Sequence, residues 1–133
     1  NDYMVFLNTE FKPDNKKTNL RLDSLWINYM KKGEFNPPHV HSCALSFVIY
    51  LQVPDKLKLE NKSYQGTDNV GPGGIKFINA VNNDHLNVSE VSIFPEKNKC
   101  YIFPATLLHM VYPFKSEGER ISVSGNFEFI DNV

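Results

Sequence analysis

Apolar residues recur along most of the chain in short runs that are bounded by Pro, Gly and Asn. These runs are rich in β-branched and aromatic side chains, which is typical of strands. They cover residues 25–31, 44–53, 73–80, 88–94, 99–104, 108–114 and 120–130. Strands this frequent, separated by turn residues, predict a mainly β sandwich or barrel with little helix.

Two stretches lack this pattern. Residues 55–70 are mostly polar, so we predict a long loop of the kind that forms a lid or a binding loop. The first 20 residues are ambiguous, and a short helix is compatible with them.

The last run alternates between polar and apolar residues as far as Phe129. One face carries Arg120, Ser122, Ser124 and Asn126, and the other is apolar. A strand with one solvated face would have this pattern. A strand whose polar face lines a cavity would have it too, and Arg120 with Ser122 could then hold a carboxylate. Of the 14 basic residues only Arg21 and Arg120 are arginine, so a planar guanidinium at position 120 is noteworthy.

The composition indicates one globular domain, residues 1–133, because 133 residues with 41% hydrophobic content suffice for one core. A net charge of -1 favours neither nucleic acid nor an anionic membrane as a partner. The apolar run at residues 43–51 is too short to span a bilayer. The chain begins at Asn1 without an initiator Met, which is compatible with removal of an upstream portion.

The two cysteines, Cys43 and Cys100, both lie in apolar strand-like runs. We interpret them as buried thiols rather than as a disulfide, which predicts a cytoplasmic protein.

Three of the four histidines suggest a metal site. His39 and His41 are two residues apart, so on extended backbone their side chains project to the same side. His109 follows the run at residues 99–104, and alone it would more often be a packing residue. Three neutral imidazoles on one metal leave open coordination positions, as non-haem Fe(II) centres require.

The segments "HVH", "GGIKF", "YIFPATLLHMVYPF" and "RISVSGNF" together resemble the core of the Fe(II)/2-oxoglutarate-dependent dioxygenases, over residues 25–128. The resemblance is closest to the prolyl-4-hydroxylase-like branch. It implies a double-stranded β-helix, that is, a jelly-roll or cupin-like barrel. It also implies Fe(II) and 2-oxoglutarate as cofactors, and hydroxylation of a small-molecule or peptidyl substrate with release of succinate and CO2.

The resemblance also implies roles for individual residues. The metal ligands would be His39, His41 and His109, with no catalytic residue beyond them. Arg120, with Ser122 beside it, would bind the distal carboxylate of 2-oxoglutarate, and the Tyr50 hydroxyl would reach the same carboxylate. Asn28 would lie on the cavity floor. His41 departs from the family pattern, because the second ligand is usually a carboxylate.

Two other functions fit the residues. One is a 2-oxoglutarate-independent, three-His dioxygenase of the cupin type, although cupins usually add a Glu that "SCALSF" does not offer. The other is a non-enzymatic jelly-roll binding module with incidental histidines. A homodimer is compatible with strands that have exposed ends, but nothing in the sequence requires it.

Overall fold

The computed structural model describes residues 18–66, 70–79 and 90–131. These residues form eight strands and one helix, α1 (Asp55–Lys62). The strands are β1 (Thr18–Met30), β2 (Asn36–His39), β3 (Leu45–Gln52), β4 (Ile75–Ile78), β5 (Glu90–Ile93), β6 (Cys100–Pro104), β7 (Leu108–Val111) and β8 (Arg120–Asp131).

The strands form two four-stranded antiparallel sheets. Sheet I has the order β1-β8-β3-β6, and sheet II has the order β2-β7-β4-β5. The hydrophobic core lies between them: Val48, Tyr50 and Phe103 of sheet I pack with Phe77 and Val111 of sheet II. This arrangement confirms the predicted mainly β, jelly-roll fold.

Strands β1 and β2 differ from the sequence prediction. Strand β1 begins at Thr18 rather than at residue 25, because it pairs with β8 from Thr18 opposite Asp131 to Met30 opposite Arg120. Strand β2 was not predicted, because its sequence "NPPH" contains two prolines that cannot donate a ladder hydrogen bond. It pairs with β7 alone among the described strands, an edge position that tolerates proline.

The prediction of a loop over residues 55–70 is wrong in its first half, where α1 forms. Pro54 precedes the helix as its N-cap residue, and Asp55 lies in the first turn, where a negative charge is favourable. Leu57 is completely buried against the core. The Glu60 carboxylate accepts hydrogen bonds from the backbone N–H groups of Lys115 and Ser116, at 2.8–3.1 Å. Tertiary contacts therefore stabilise a short helix with a weak sequence signal.

The two faces of β8 have the opposite polarity to that of an ordinary strand in a sandwich. The polar residues of β8 point inward, where Arg120, Ser122 and Asn126 are buried. The interpretation of this face as solvated is therefore wrong. The apolar residues point outward, and in their midst the Phe47 ring lies over Gly125, where an added Cβ would lie 2.6 Å from a ring atom.

The remaining predictions concern the cysteines and the N-terminus. Both cysteines are free, but Cys100 is exposed and Cys43 is only half-buried, so the prediction of two buried thiols is wrong. The N-terminal helix would fall on residues 1–17, outside the described residues, whereas residues 18–20 belong to β1. In the described part of the chain, no helix has the length and apolar character needed to cross a membrane.

Candidate metal centre

Three histidines meet at one end of the space between the sheets. His39, the last residue of β2, pairs directly with His109 of β7, and their ring centroids are 4.2 Å apart. His41 follows β2, and its backbone N–H donates to the Ala105 carbonyl at 2.8 Å. Its ring lies 5.2 Å from that of His39 and 5.3 Å from that of His109. One candidate ligand atom from each histidine lies within 4.8 Å of the other two.

Hydrogen bonds leave two of these imidazoles ready to bind a metal. Nδ1 of His39 lies 2.7 Å from the Pro37 carbonyl oxygen, and Nδ1 of His109 lies 2.9 Å from that of Leu107. A carbonyl only accepts, so in each ring Nδ1 carries the proton and Nε2 keeps its lone pair. The same bonds orient the rings, as outer contacts of metal-binding histidines generally do.

Burial favours the neutral form of His109 and His41, which is the form that binds a metal. Burial lowers the pKa of His109 to about 4, more than the hydrogen bond to Leu107 raises it, and the nearby His39 and His41 lower it further. Burial lowers the pKa of His41, and the nearby His39 lowers it further by a smaller amount.

Aromatic side chains surround the histidines. The Phe103 and Phe77 rings lie 5.0 Å and 6.1 Å from that of His109. Trp26 lies 5.7 Å from His41. They form an apolar wall around the ligand atoms, which keeps the local dielectric constant low.

A buried cation shares the same cavity. Arg120 is only 3% exposed, and no acidic side chain of the described residues forms an ion pair with it. One guanidinium nitrogen donates to the Tyr50 hydroxyl at 3.2 Å, and another lies 3.8 Å from the Met30 sulfur. Nε has no hydrogen-bond partner. Burial lowers the Arg120 pKa, and the interaction with Tyr50 raises it, but an arginine stays charged.

Burial of a charged group with an unsatisfied hydrogen-bond donor costs free energy unless an anion pairs with that group. A carboxylate is well suited, because its two oxygens match the guanidinium fork. The donor set of this end of the cavity therefore fits a carboxylate ligand.

One cavity is lined both by the three histidines and by Arg120, and its volume is about 110 Å³. Six of the seven residues singled out from the sequence line it: Asn28, His39, His41, His109, Arg120 and Ser122. The seventh, Tyr50, is completely buried and contacts the cavity through Arg120. The roles proposed for all seven stay predictions.

Other polar residues of the cavity were not identified as site residues from the sequence. Asn36 opens β2, and the Ser124 hydroxyl accepts a hydrogen bond of 3.1 Å from the Asn28 amide. The alternation of polar and apolar residues along β8 places Ser124 on the same face as Arg120 and Ser122, and could have identified it. Asn36 had no such signal, because β2 itself was not predicted.

No carboxylate belongs to the metal-ligand cluster in residues 18–66, 70–79 and 90–131. The candidate centre is therefore made of three neutral ligands, so a divalent metal bound there would keep its full charge of two.

Comparisons with known proteins bear on the family and the fold of the chain. The sequence model of the family described as "Putative 2OG-Fe(II) oxygenase" matches residues 24–126. A crystal structure of an oxidoreductase of the 2OG-Fe(II) oxygenase family from Burkholderia pseudomallei is similar, with a TM-score of 0.63 and 15% sequence identity. The similarity covers 96% of this chain and 57% of that chain, so this chain spans little more than half of its neighbour. No curated protein matches the sequence. The assignment to the prolyl-4-hydroxylase-like branch stays a prediction.

Proposed function

Because the chain belongs to the 2OG-Fe(II) oxygenases, an enzyme family that uses Fe(II) and 2-oxoglutarate, we propose that it hydroxylates a substrate at the cavity between its sheets. In this reaction O2 supplies one oxygen atom to the substrate and the other to succinate, while 2-oxoglutarate loses CO2. The substrate would be a small molecule or a peptidyl side chain.

His39, His41 and His109 would hold the metal through nitrogen atoms that carry no proton. The metal, together with 2-oxoglutarate, supplies the oxidising chemistry when both are bound. The protein contributes ligand orientation, since the Pro37 and Leu107 carbonyls hold the rings of His39 and His109. The aromatic wall contributes by excluding water.

Arg120 would bind the distal carboxylate of 2-oxoglutarate, with the Ser122 hydroxyl as a further donor. Tyr50 would orient the guanidinium through two contacts. Its hydroxyl accepts a hydrogen bond from Arg120, and the centroid of its ring lies 4.8 Å from the guanidinium carbon. Asn28 would line the floor beside Ser124. The observation that carries the proposal is that one cavity is lined by a clustered set of three imidazoles and by a buried arginine that has no acidic partner among the described residues.

The test is anaerobic titration of the Fe(II)-loaded protein with 2-oxoglutarate, followed by the visible charge-transfer absorption, and then by succinate formation after O2 is admitted. We expect Arg120→Ala to weaken 2-oxoglutarate binding by about a hundredfold, the loss expected for a buried charge-assisted pair. Arg21→Ala is the matched control, because Arg21 is the other arginine and is exposed on β1. Equal affinities for the two variants would overturn the assignment of Arg120.

One observation favours a second candidate function. A cluster of three histidines without a carboxylate also suits a three-His dioxygenase that works without 2-oxoglutarate. Fe(II) binding combined with no response to 2-oxoglutarate, in wild type as in Arg120→Ala, would support that function.

A further inference from the structure

The cavity between the sheets is lined by positively charged and neutral groups only. None of the described side chains that line it belongs to an Asp, a Glu or a Cys. Its ionisable groups are the imidazoles of His39, His41 and His109 and the guanidinium of Arg120. Each imidazole binds a metal as a neutral ligand, so a divalent metal adds its two charges to the single charge of Arg120. The metal-loaded cavity therefore carries three positive charges before any anion enters.

The acidic side chains beside the cavity compensate little of this charge. Glu34 lies in an adjoining groove that Arg120 also lines, but it is exposed and accepts a hydrogen bond of 2.7 Å from the Lys31 backbone N–H. Glu119 precedes Arg120 in the chain, and its partly exposed carboxylate lies 3.7 Å from Nζ of Lys31. Water and salt screen charges at solvent-accessible positions more strongly than charges in a buried cavity. An anion that balances the cavity charge therefore has to bind inside the cavity.

2-Oxoglutarate does not complete this balance. Both of its carboxyl groups are ionised near neutral pH, so its two negative charges leave one of the three positive charges uncompensated. An aspartate in the place of His41 would compensate that charge, and a carboxylate is the ligand that the family usually has there. The uncompensated charge is therefore a consequence of one residue, His41, in a cluster without a carboxylate.

From this charge balance we infer that the metal-loaded cavity binds a small inorganic monoanion, such as chloride, directly at the metal. Three protein ligands leave coordination positions free on a divalent metal. The apolar wall of Phe77, Phe103 and Trp26 keeps the local dielectric constant low, which strengthens the attraction between the metal and an anion. The inference rests on the proposed metal centre, but it does not depend on the turnover of 2-oxoglutarate.

The size of the cavity and its hydrogen-bond donors favour a small anion. The cavity volume is about 110 Å³, so a second organic acid has little room beside 2-oxoglutarate. A halide ion needs about the space of one water molecule, roughly 30 Å³. The Ser124 hydroxyl, which also lines the cavity, accepts a hydrogen bond of 3.1 Å from the Asn28 amide and can donate its own proton to an anion.

The binding of the anion and the binding of the metal are coupled. An anion that binds the metal-loaded protein more tightly than the metal-free protein raises the metal affinity by the same factor. The protein therefore retains its metal better in a solution rich in chloride, and the neutral side chain of His41 is what makes metal retention sensitive to anions.

The test is titration of the protein with Co²⁺ in sodium chloride and, at the same ionic strength, in sodium perchlorate, whose anion coordinates metals weakly. Quenching of the fluorescence of Trp26, which lies 5.7 Å from His41, reports the Co²⁺ affinity. The visible absorption of bound Co²⁺ reports whether the anion coordinates the metal. We expect chloride to tighten Co²⁺ binding by about tenfold, and to change the absorption spectrum of the bound ion.

His41→Asp and His41→Asn form a matched pair of variants, because the two side chains have nearly the same shape and differ by one charge. In His41→Asn we expect chloride to tighten Co²⁺ binding by about the same factor as in wild type. In His41→Asp the effect of chloride should fall below about twofold, since the aspartate already supplies the negative charge. Circular dichroism spectra will establish that both variants are folded.

Each contrary result has a distinct meaning. A wild-type Co²⁺ affinity that is the same in both salts would overturn this inference alone and leave the proposed metal centre intact. A chloride effect without a change in the Co²⁺ absorption would also overturn it, because the anion would then bind at Arg120. An undiminished chloride effect in His41→Asp would show that the charge of this ligand does not control anion binding. Absence of Co²⁺ binding to wild type would overturn the metal centre itself, and this inference with it.

Discussion

The hydroxyl of Tyr50 accepts a hydrogen bond of 3.2 Å from Arg120, and the same ring lies under the guanidinium carbon at 4.8 Å. This contact places a completely buried tyrosine beneath a buried cation that has no acidic partner among the described residues. Burial raises the pKa of Tyr50 more than Arg120 lowers it, so the phenol is neutral and does not compensate the charge. Tyr50 therefore orients Arg120 without replacing the anion that the cavity fits.

Removal of the Tyr50 hydroxyl should weaken 2-oxoglutarate binding moderately. We expect Tyr50→Phe to raise the dissociation constant by about fivefold, the effect of one hydrogen bond that positions a charged group. Titration calorimetry of the metal-loaded protein would measure it, with the exposed Tyr64→Phe as control. Unchanged affinity in Tyr50→Phe would mean that ring packing alone holds Arg120.

Replacement of His41 by aspartate should change the charge of the metal centre. An anionic ligand neutralises one charge of a divalent metal, so we expect His41→Asp to tighten metal binding by at least about tenfold. It should also reduce the extent to which 2-oxoglutarate, itself an anionic ligand, strengthens metal binding.

Trp26 is the only tryptophan and lies 5.7 Å from His41, so quenching of its fluorescence by Co²⁺ would report metal binding. The titration is done with and without 2-oxoglutarate, for wild type and His41→Asp. His41→Ala should weaken binding in both conditions. If His41→Asp also weakens binding, His41 is held in a geometry that the shorter aspartate does not reproduce.

The contact between α1 and the loop that follows β7 should make stability depend on pH. Burial raises the pKa of Glu60, but the hydrogen bonds from the Lys115 and Ser116 backbone lower it by more, so its net pKa is below the ordinary value of 4.5. A pKa lowered in the folded state contributes stability that is present above the unfolded pKa and is lost as pH falls through the folded pKa.

We expect Glu60→Gln to lower the free energy of unfolding by about 1 kcal/mol at neutral pH, because neutral acceptors bond more weakly. The difference from wild type should shrink as the pH falls below 4.5. Urea unfolding at several pH values would measure both effects. The exposed Glu96→Gln should show neither, and a difference for Glu60→Gln that is constant with pH would contradict the assigned cause.

Gly125 should tolerate no side chain. An added Cβ would lie 2.6 Å from both the Phe47 ring and the Ser24 carbonyl oxygen, and the latter is backbone that cannot move away freely. We expect Gly125→Ala to lower the free energy of unfolding by about 2 kcal/mol, as overpacking does. Gly33→Ala provides the comparison, because φ there is +80° but nothing lies within 4 Å, so its cost should be about 1 kcal/mol. Equal costs for the two would show that the Phe47 ring and β1 readjust.

Local pattern was sufficient to predict every described strand except β2, and part of the site. The period of two along residues 120–130 separated Arg120 and Ser122 from the apolar residues between them, and the spacing of His39 and His41 placed both on one side. These inferences succeed because side-chain direction in a strand is a local property of the backbone. His109 was a third candidate ligand from the sequence, and the family resemblance added Tyr50 and Asn28.

Local pattern failed where long-range contacts decide the structure. Strand β2 forms although it contains Pro37 and Pro38, because β7 pairs with its edge and brings His39 opposite His109. Helix α1 forms because Leu57 is buried in the core and Glu60 bonds to a segment far along the chain. Neither partner is visible from the sequence of the element itself.

The sequence by itself determined the mainly β architecture, the identity of the candidate ligands and the two-sided character of β8. Only the tertiary structure decided which side of β8 faces inward. An alternating strand has one polar and one apolar face whichever way it turns, and here the cavity accommodates the polar one. The apolar side was thereby placed outward.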